Sequence, residues 1–393
     1  MKKLVNRFIK TFRKKSFEDS VILLVTFLIK TYCSGSIDSK KTLLPIVYAS
    51  CMGISITNAV KRLKRKGYEV HSNKTILDKI AEFDADVIEQ MITQAREIVL
   101  SVAKRFGFCN RRTIVSIDFH DKPFYGDRHL KEIVGTKKKA GTCFAYRYAT
   151  ICICEEGIRF NLATMAVTQL HLKKDVVAEL IREARKYVAV GLVLLDRGFN
   201  GTEIFEIIKD ERTRYVMPLI KYSKVKELCN QTKKEVDVIE YIFYENRAVE
   251  YQTKVKVIVD KREKTHYFVT NIQEETKTIL TLIIEAYRKR WGIETGYRVA
   301  DEFYAMTTSI KFSTRCFLNL LSFLLQDLWT LRNFIETNET NLQQPRSRFL
   351  KGCRTLIRFI RKSVKKLNFY YRPSLEAELF REDLIDCVKE RLD

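Results

Sequence analysis

The feature that most narrows the fold is a pair of short apolar runs, TIVSID and GLVLLDRG, each of which ends in an aspartate, Asp118 and Asp196. From Gly191 to Leu195 no residue is polar. A strand with one wet face alternates apolar and polar residues, so an unbroken apolar run belongs to a strand covered on both faces. The segment before it, DVVAELIREARKYV, has helical spacing of its apolar residues, and GTEIFEIIKDE after it reads as a second helix. Two further strand-like runs, YATICICEEG and IRFNLATMAVT, follow TIVSIDF, and RYVMPLI follows the second helix. The resulting order, β-β-β-α-β-α-β, is that of an α/β fold whose mixed sheet is flanked by helices.

Outside this core the chain divides by pattern. Residues 1–105 read as an N-terminal helical domain, with helical periodicity in Val21–Tyr32, Thr42–Met52 and Ile76–Val99 and the polar joint SGSIDSKK between the first two. Within it, MGISITNAVKRLKRKGYEV reads as a turn and a helix carrying Lys61, Arg62, Lys64, Arg65 and Lys66. Those side chains suit a phosphate backbone or a groove, and a solvated helix face is the alternative. Residues 106–335 read as the sheet domain, interrupted at about 221–275 by a β-rich insertion that contains VEYQTKVKVIVD and THYFVTN. A long helix from Thr278 to about Thr307 and an apolar helix from Phe317 to Leu331 close the domain. Residues 336–393 form a basic helical tail, in which Arg346–Arg372 holds ten Lys and Arg residues and no acid, with Phe349, Phe359, Phe369, Tyr370 and Tyr371 among them.

Charge points to the partner. The chain has 71 Lys and Arg against 48 Asp and Glu, a formal +23, which favours a polyanion and above all nucleic acid. The longest apolar run, Val21–Ile29, falls well short of the roughly 20 residues a membrane-spanning helix needs. The basic start MKKLVNRFIKTFRKK reads as an exposed helix and not as a signal peptide, so a cytoplasmic, nucleoid-associated protein with no membrane partner is expected. Ten cysteines without a CxxC pair make neither a zinc site nor a disulfide framework, and Cys152 and Cys154 are spaced to share one face of a strand.

The chemistry lies in the carboxylates. Charged residues seldom end buried strands, and two aspartates at the ends of two strands of one sheet can meet. Like charges in a low-dielectric site are unfavourable unless a divalent cation binds between them. Gly198 lets the backbone turn sharply after Asp196, and His120 and Asp121 read as polar neighbours of Asp118. A third element, AYRKRWGIETGYRVAD, places Tyr287, Arg290, Glu294 and Asp301 at i, i+3, i+7 and i+14, one face of a helix. Arg290 is one turn from Glu294, and Gly292 and Gly296 would admit another backbone, or DNA, close to the helix.

The strand-ending Asp118, LLDRGF around Asp196, and the block of Tyr287, Arg290 and Glu294 together resemble the DDE transposases of the IS4-like superfamily, in particular their archaeal ISH3-type members. The similarity covers roughly residues 110–335, and the helical block is its specific part. The resemblance implies an RNase H-like core with a β-strand insertion between the second Asp and the Glu. It further implies catalysis by two Mg²⁺ or Mn²⁺ ions held by Asp118, Asp196 and Glu294, with Asp118 bridging both. Water would free a 3′ hydroxyl at the element end, and that hydroxyl would then attack target DNA. Tyr287 and Arg290 correspond to the residues that contact phosphates near the reacting bond. The family's usual Lys seven residues after the Glu is Asp301 here, with Arg298 or Lys311 as candidate substitutes. The expected partners are element-end and target DNA, with a homodimer when two ends are brought together. A catalytically inactive DNA-binding descendant and an RNase H-like nuclease without joining activity are the rival readings. A structural RNA-binding protein is a third.

Overall fold

A computed structural model of the chain describes residues 40–105, 112–155, 158–220, 223–244, 252–273 and 275–337. The expected basic N-terminal helix, the run Val21–Ile29 and the basic tail lie outside the described residues. The chain divides into two compact units, Met1–Asn110 with Gly296–Asp393, and Arg111–Thr295.

The first unit begins with α1 (Lys40–Met52), α2 (Ile56–Arg65), α3 (Asn73–Ala81) and α4 (Ala85–Arg105). Ser55 caps α2 by accepting the Asn58 N–H at 3.2 Å, the residue type and bond that satisfy an otherwise orphaned donor of the first turn. Ile56, Ala59, Val60 and Leu63 turn inward from α2, which leaves Lys61, Arg62, Lys64, Arg65 and Lys66 exposed. The Ile76–Val99 periodicity covers two helices, not one. The chain leaves helical bonding at Glu82 and restarts where the Asp84 carbonyl accepts from Ile88 N–H at 3.1 Å.

The second unit is built on β1 (Thr113–Pro123), β2 (Val134–Lys139), β3 (Thr142–Glu155), β4 (Ile158–Val167), β5 (Val190–Leu194) and β6 (Tyr215–Pro218), then β7 (Val236–Tyr244), β8 (Gln252–Asp260) and β9 (His266–Thr270). Helices α5 (Lys173–Arg185), α6 (Thr202–Asp210), α7 (Ser223–Gln231) and α8 (Lys277–Arg288) lie between and after them. Among the described residues the strands form one nine-stranded sheet in the order β2-β3-β1-β5-β6-β9-β8-β7, with β4 also paired to β3. Pairing is antiparallel from β4 through β3 to β1 and parallel from β1 through β5 to β6. This is the RNase H-like mixed sheet that was expected.

Helices cover both faces. On one face α8 packs Leu280, Ile283 and Ile284 against Leu194, Val216, Ile258 and Phe268. On the opposite face Phe205 of α6 stacks on Tyr215 at 5.8 Å, and α5 buries Val176, Val177, Leu180 and Ile181. The continuous apolar character of β5 follows, since Val193 and Leu194 point to different helices.

Three strand expectations change. β1 does not end at Asp118 but runs to Pro123, because β3 pairs it throughout, from Val115↔Ile153 to Pro123↔Ala145. β2 was not legible as a strand. Its VGTKKK has a single large apolar residue, and it is held by β3 and by a turn at Ala140 (φ 50) and Gly141 (φ 85). The β-rich insertion adds its strands to the main sheet, β9 pairing antiparallel with β6.

Helix α9 (Trp291–Glu302) crosses the boundary between the units, and α10 (Phe312–Thr337) belongs to the first. In that unit Arg96 of α4 meets Asp327 of α10 in a fully buried ion pair, Nε to Oδ2 3.4 Å.

Candidate functional site

The parallel pairing of β1 and β5 stops at Ser116↔Leu194. Asp118 and Asp196 each follow by two residues, and side chains alternate along a strand, so both lie on the face of Ser116 and Leu194. From this level β1 continues with β3 alone, Asp118 opposite Thr150, while β5 has ended. The two carboxylates thus stand where adjacent parallel strands part at their carboxyl ends, the usual place for a site in such sheets.

Each aspartate is held. Asp196 caps the 3-10 turn Arg197–Phe199, its Oδ1 accepting the Gly198 N–H at 2.6 Å. A Cβ on Gly198 would lie 2.8 Å from that oxygen, so the glycine is there for space beside the carboxylate and not for an unusual φ. The Lys173 ammonium donates to the Gly198 carbonyl at 2.7 Å, and Asn200 Nδ2 bonds the carbonyls of Arg197 and Pro218 at 3.1 and 2.8 Å. Asp118 Oδ1 accepts the Phe119 N–H at 2.8 Å, and Oδ2 faces Arg290 Nη1 at 3.3 Å.

The helical block departs from the single helix expected. α8 ends at Arg288 and α9 begins at Trp291, and between them the bonds tighten to i→i+3, from Arg290 N to Tyr287 O at 2.9 Å and from Ile293 N to Arg290 O at 3.0 Å. At this junction the Arg290 guanidinium is buried. It reaches Asp118 through Nη1 and Glu294 Oε1 through Nη2 at 2.9 Å, so the expected bracing of Glu294 is present. Gly292 is buried against the Arg159 side chain from β4, where a Cβ would come within 1.9 Å of Nε, and Gly296 has Gln326 Nε2 at 3.1 Å. The glycines therefore make room for side chains, where the sequence suggested another backbone or DNA. Arg159 was not singled out in the sequence, where one arginine opening a strand carries no signal.

Electrostatics follow from the burial. The Asp118 carboxyl is pushed up to about 6, first by burial and then by the charges of Asp196 and Glu294, against the Phe119 N–H and Arg290, which favour its ionised form. Burial opposes the charge on Arg290, but Tyr287, Asp118 and Glu294 around it outweigh that and hold it protonated. Tyr287 is pushed up to about 12, chiefly by burial, with Arg290 acting in the other direction and the charges of Asp196 and Asp118 adding to the rise. Its ring packs on Phe268 at 5.1 Å, so it serves the core beneath the site as well.

The structure brings Asp118, Asp196, Glu294, Arg290 and Tyr287 into one unit. Arg298 and Asp301 are exposed on α9 in the other unit, as are the five basic residues 61–66 on and after α2. Asp121 turns to the opposite face from Asp118 and is engaged by Arg147 at 2.7 and 2.8 Å and by Thr136 at 2.8 Å. His120 is half-buried beside it.

Among the described residues no group of three or more His, Cys, Asp or Glu side chains is placed to hold a metal ion. The Arg290 guanidinium bridges Asp118 and Glu294. The donors are all carboxylate oxygens, which suit a hard cation, and the Asp118 carboxyl is raised first by its burial and only then by the charges of Asp196 and Glu294.

The model of a protein family described as "Transposase DDE domain" matches residues 167–322, less than half of the chain. That span contains Asp196, Tyr287, Arg290 and Glu294 and leaves out Asp118. No curated protein matches the chain. Among solved structures, the "Drosophila P element transposase strand transfer complex" is similar at 11% identity over 88% of this chain and 79% of that chain, with a TM-score of 0.24, too low for a shared fold to be read from it.

Proposed function

We infer that the chain is a DDE-type transposase of the IS4-like kind that cuts DNA at the ends of a mobile element and joins them to target DNA, with Asp118, Asp196 and Glu294 as its carboxylates. The observation that carries this reading is the placement of Asp118 and Asp196 two residues beyond the last pair of adjacent parallel strands, with Glu294 held to Asp118 through Arg290. The match of residues 167–322 to a transposase DDE domain supports it, as does the formal charge of +23, which suits a polyanionic substrate.

Two Mg²⁺ or Mn²⁺ ions, when bound, would activate the nucleophile and stabilise the charge that develops on the phosphate and the leaving oxygen. Asp118 and Asp196 would hold them, with Glu294 completing the set. The chain's own contribution is position. The 3-10 turn and the Lys173 and Asn200 bonds to it fix Asp196, while the β1–β3 pairing fixes Asp118. Arg290 keeps Glu294 in place and balances the charge of Asp118. Tyr287 and Arg290, which correspond to the family's phosphate-contacting residues, would meet a DNA phosphate near the reacting bond. The exposed residues Lys61, Arg62, Lys64, Arg65 and Lys66 would contact the phosphates of a duplex, and Arg298 or Lys311 would stand in for the family's Lys. A chromosomal DNA substrate would put the protein in the cytoplasm, at the nucleoid.

The test is cleavage and joining of labelled duplexes carrying the DNA that flanks the coding sequence, with Mg²⁺ or Mn²⁺, for wild type and for Asp118→Ala, Asp196→Ala and Glu294→Ala. Product that disappears in all three variants while DNA binding persists supports the reading. Wild-type protein that binds ends and never cuts with either metal overturns it in favour of a non-catalytic DNA-binding protein, which the Arg290 bridge and Asp301 would then explain. Cut ends without joined product would assign it to the nucleases.

A further inference from the structure

The strand that sequence patterning did not reveal, β2, forms with the start of β3 a ribbon that carries a charge cluster no residue of the carboxylate site uses. Lys137, Lys138 and Lys139 are consecutive and all exposed. Successive side chains of a strand point to opposite faces, so exposure of all three means that both faces of the ribbon are wet at its tip. None of the three side chains makes an ion pair or hydrogen bond among the described residues. The loop leading into β2 adds Arg128 and Lys131 against Asp127 and Glu132, which leaves the lysine charge uncancelled.

The tip is also rigid. Ala140 and Gly141 both take positive φ, 50 and 85, in the turn type that matches the twist of a two-residue hairpin. The Tyr125 hydroxyl donates to the Ala140 carbonyl at 2.7 Å, and Thr142 Oγ1 donates to the Phe124 carbonyl at 2.8 Å, so the neighbouring segment pins the turn. A lysine hairpin braced in this way gives up less ordering entropy on binding than a free loop.

Its position relative to Asp118 follows from the ladder. Pro123, five residues along β1 from Asp118, pairs with Ala145, and three further residues along β3 lead to Thr142, which pairs with Lys139. At roughly 3.3 Å per residue Lys139 stands about 26 Å along the strand direction from the carboxylate, equivalent to about eight base pairs of duplex.

We propose that the β2–β3 ribbon is a duplex-DNA backbone contact, with Lys137, Lys138 and Lys139 on phosphates roughly eight base pairs from the reacting bond. A two-stranded ribbon is one of the shapes the DNA major groove admits, and lysines without partners release counterions when they meet phosphates. The inference rests on the DNA-transposing reading of the carboxylate site and names a second surface for the same substrate.

The experiment measures affinity of the full chain for a duplex, and for single-stranded RNA of equal length, across a series of salt concentrations. It compares wild type, the triple variant Lys137→Ala/Lys138→Ala/Lys139→Ala, and the triple Lys→Arg variant at the same positions. The expected result is a slope of log K against log[salt] on duplex DNA shallower by about 3 in the alanine variant, one unit for each lost phosphate contact, with the arginine variant matching wild type. The arginine variant guards against a folding defect at the hairpin. An unchanged slope and affinity in the alanine variant overturns the proposal, as does a loss confined to RNA. A shallower slope with no strand cleavage by wild type leaves the ribbon standing and removes the enzymatic reading, whereas cleavage with an unchanged slope does the reverse.

Discussion

Replacing Asp118 by Asn should stabilise the protein and, on the proposed transposase reading, abolish DNA cleavage. The carboxyl moves from an ordinary 3.8 to about 6 on folding, and its side chain is 17% exposed, so solvent screens little of the effect. Because the folded form binds the proton more tightly than the unfolded chain, stability from this group is greatest below the unfolded value. It falls as pH rises from about 4 to about 6, and above that the full penalty remains. With about 1.4 kcal/mol per unit, ionisation of Asp118 costs about 3 kcal/mol at pH 8 and about 1 kcal/mol at pH 4.5. The Asp118→Asn variant has no such cost. Urea unfolding of both proteins in the presence of a chelator should show the variant more stable by about 3 kcal/mol at pH 8, with the gap shrinking to about 1 kcal/mol at pH 4.5. Added Mg²⁺ should then raise the wild type and not the variant, by linkage of binding to folding. A variant less stable than wild type at pH 8, or a gap that does not narrow with acid, would refute the argument that burial and like charge dominate at this carboxylate.

Gly198→Ala brings a Cβ to 2.8 Å from Asp196 Oδ1 at an otherwise exposed position. It should change stability by less than about 1 kcal/mol in urea unfolding while lowering DNA cleavage at least about tenfold, since small displacements of catalytic groups act strongly on rate. Gly292→Ala forces a Cβ to within 1.9 Å of Arg159 Nε in a buried place, an overpacking that should cost about 1–3 kcal/mol. Thermal unfolding of the double variant with Arg159→Ala should recover most of that loss, and failure to recover it would place the strain elsewhere.

Much of the site was legible because its signals are local. The unbroken apolar run before Asp196 predicted a strand covered on both faces, and α5, α6 and α8 do cover the sheet on its two sides. The four-residue spacing of Arg290 and Glu294 predicted their contact, and the 2.9 Å bond is there. Gly292 was noticed as a residue making room for a backbone or DNA, but what fills the room, the Arg159 side chain, comes from a strand more than a hundred residues away in the chain and left no mark near the glycine. The same holds for β2, whose lysines look like a loop because nothing but backbone pairing to β3 makes them a strand.

Sequence alone therefore determined the parts whose cause is periodic burial: the strands leading to Asp118 and Asp196, the amphipathic helices, and the helical spacing that ties Arg290 to Glu294. Tertiary structure decided where β1 ends, since the register with β3 carries it past Asp118 to Pro123, and it decided that the inserted strands extend the main sheet through β6 and β9. It also decided that the helix breaks before Trp291, so that Arg290 meets Asp118 as well as Glu294. The physical reason is the range of the interactions. Burial periodicity is written in neighbouring residues, whereas strand partners and the meeting of buried charges depend on segments that only the folded chain brings together.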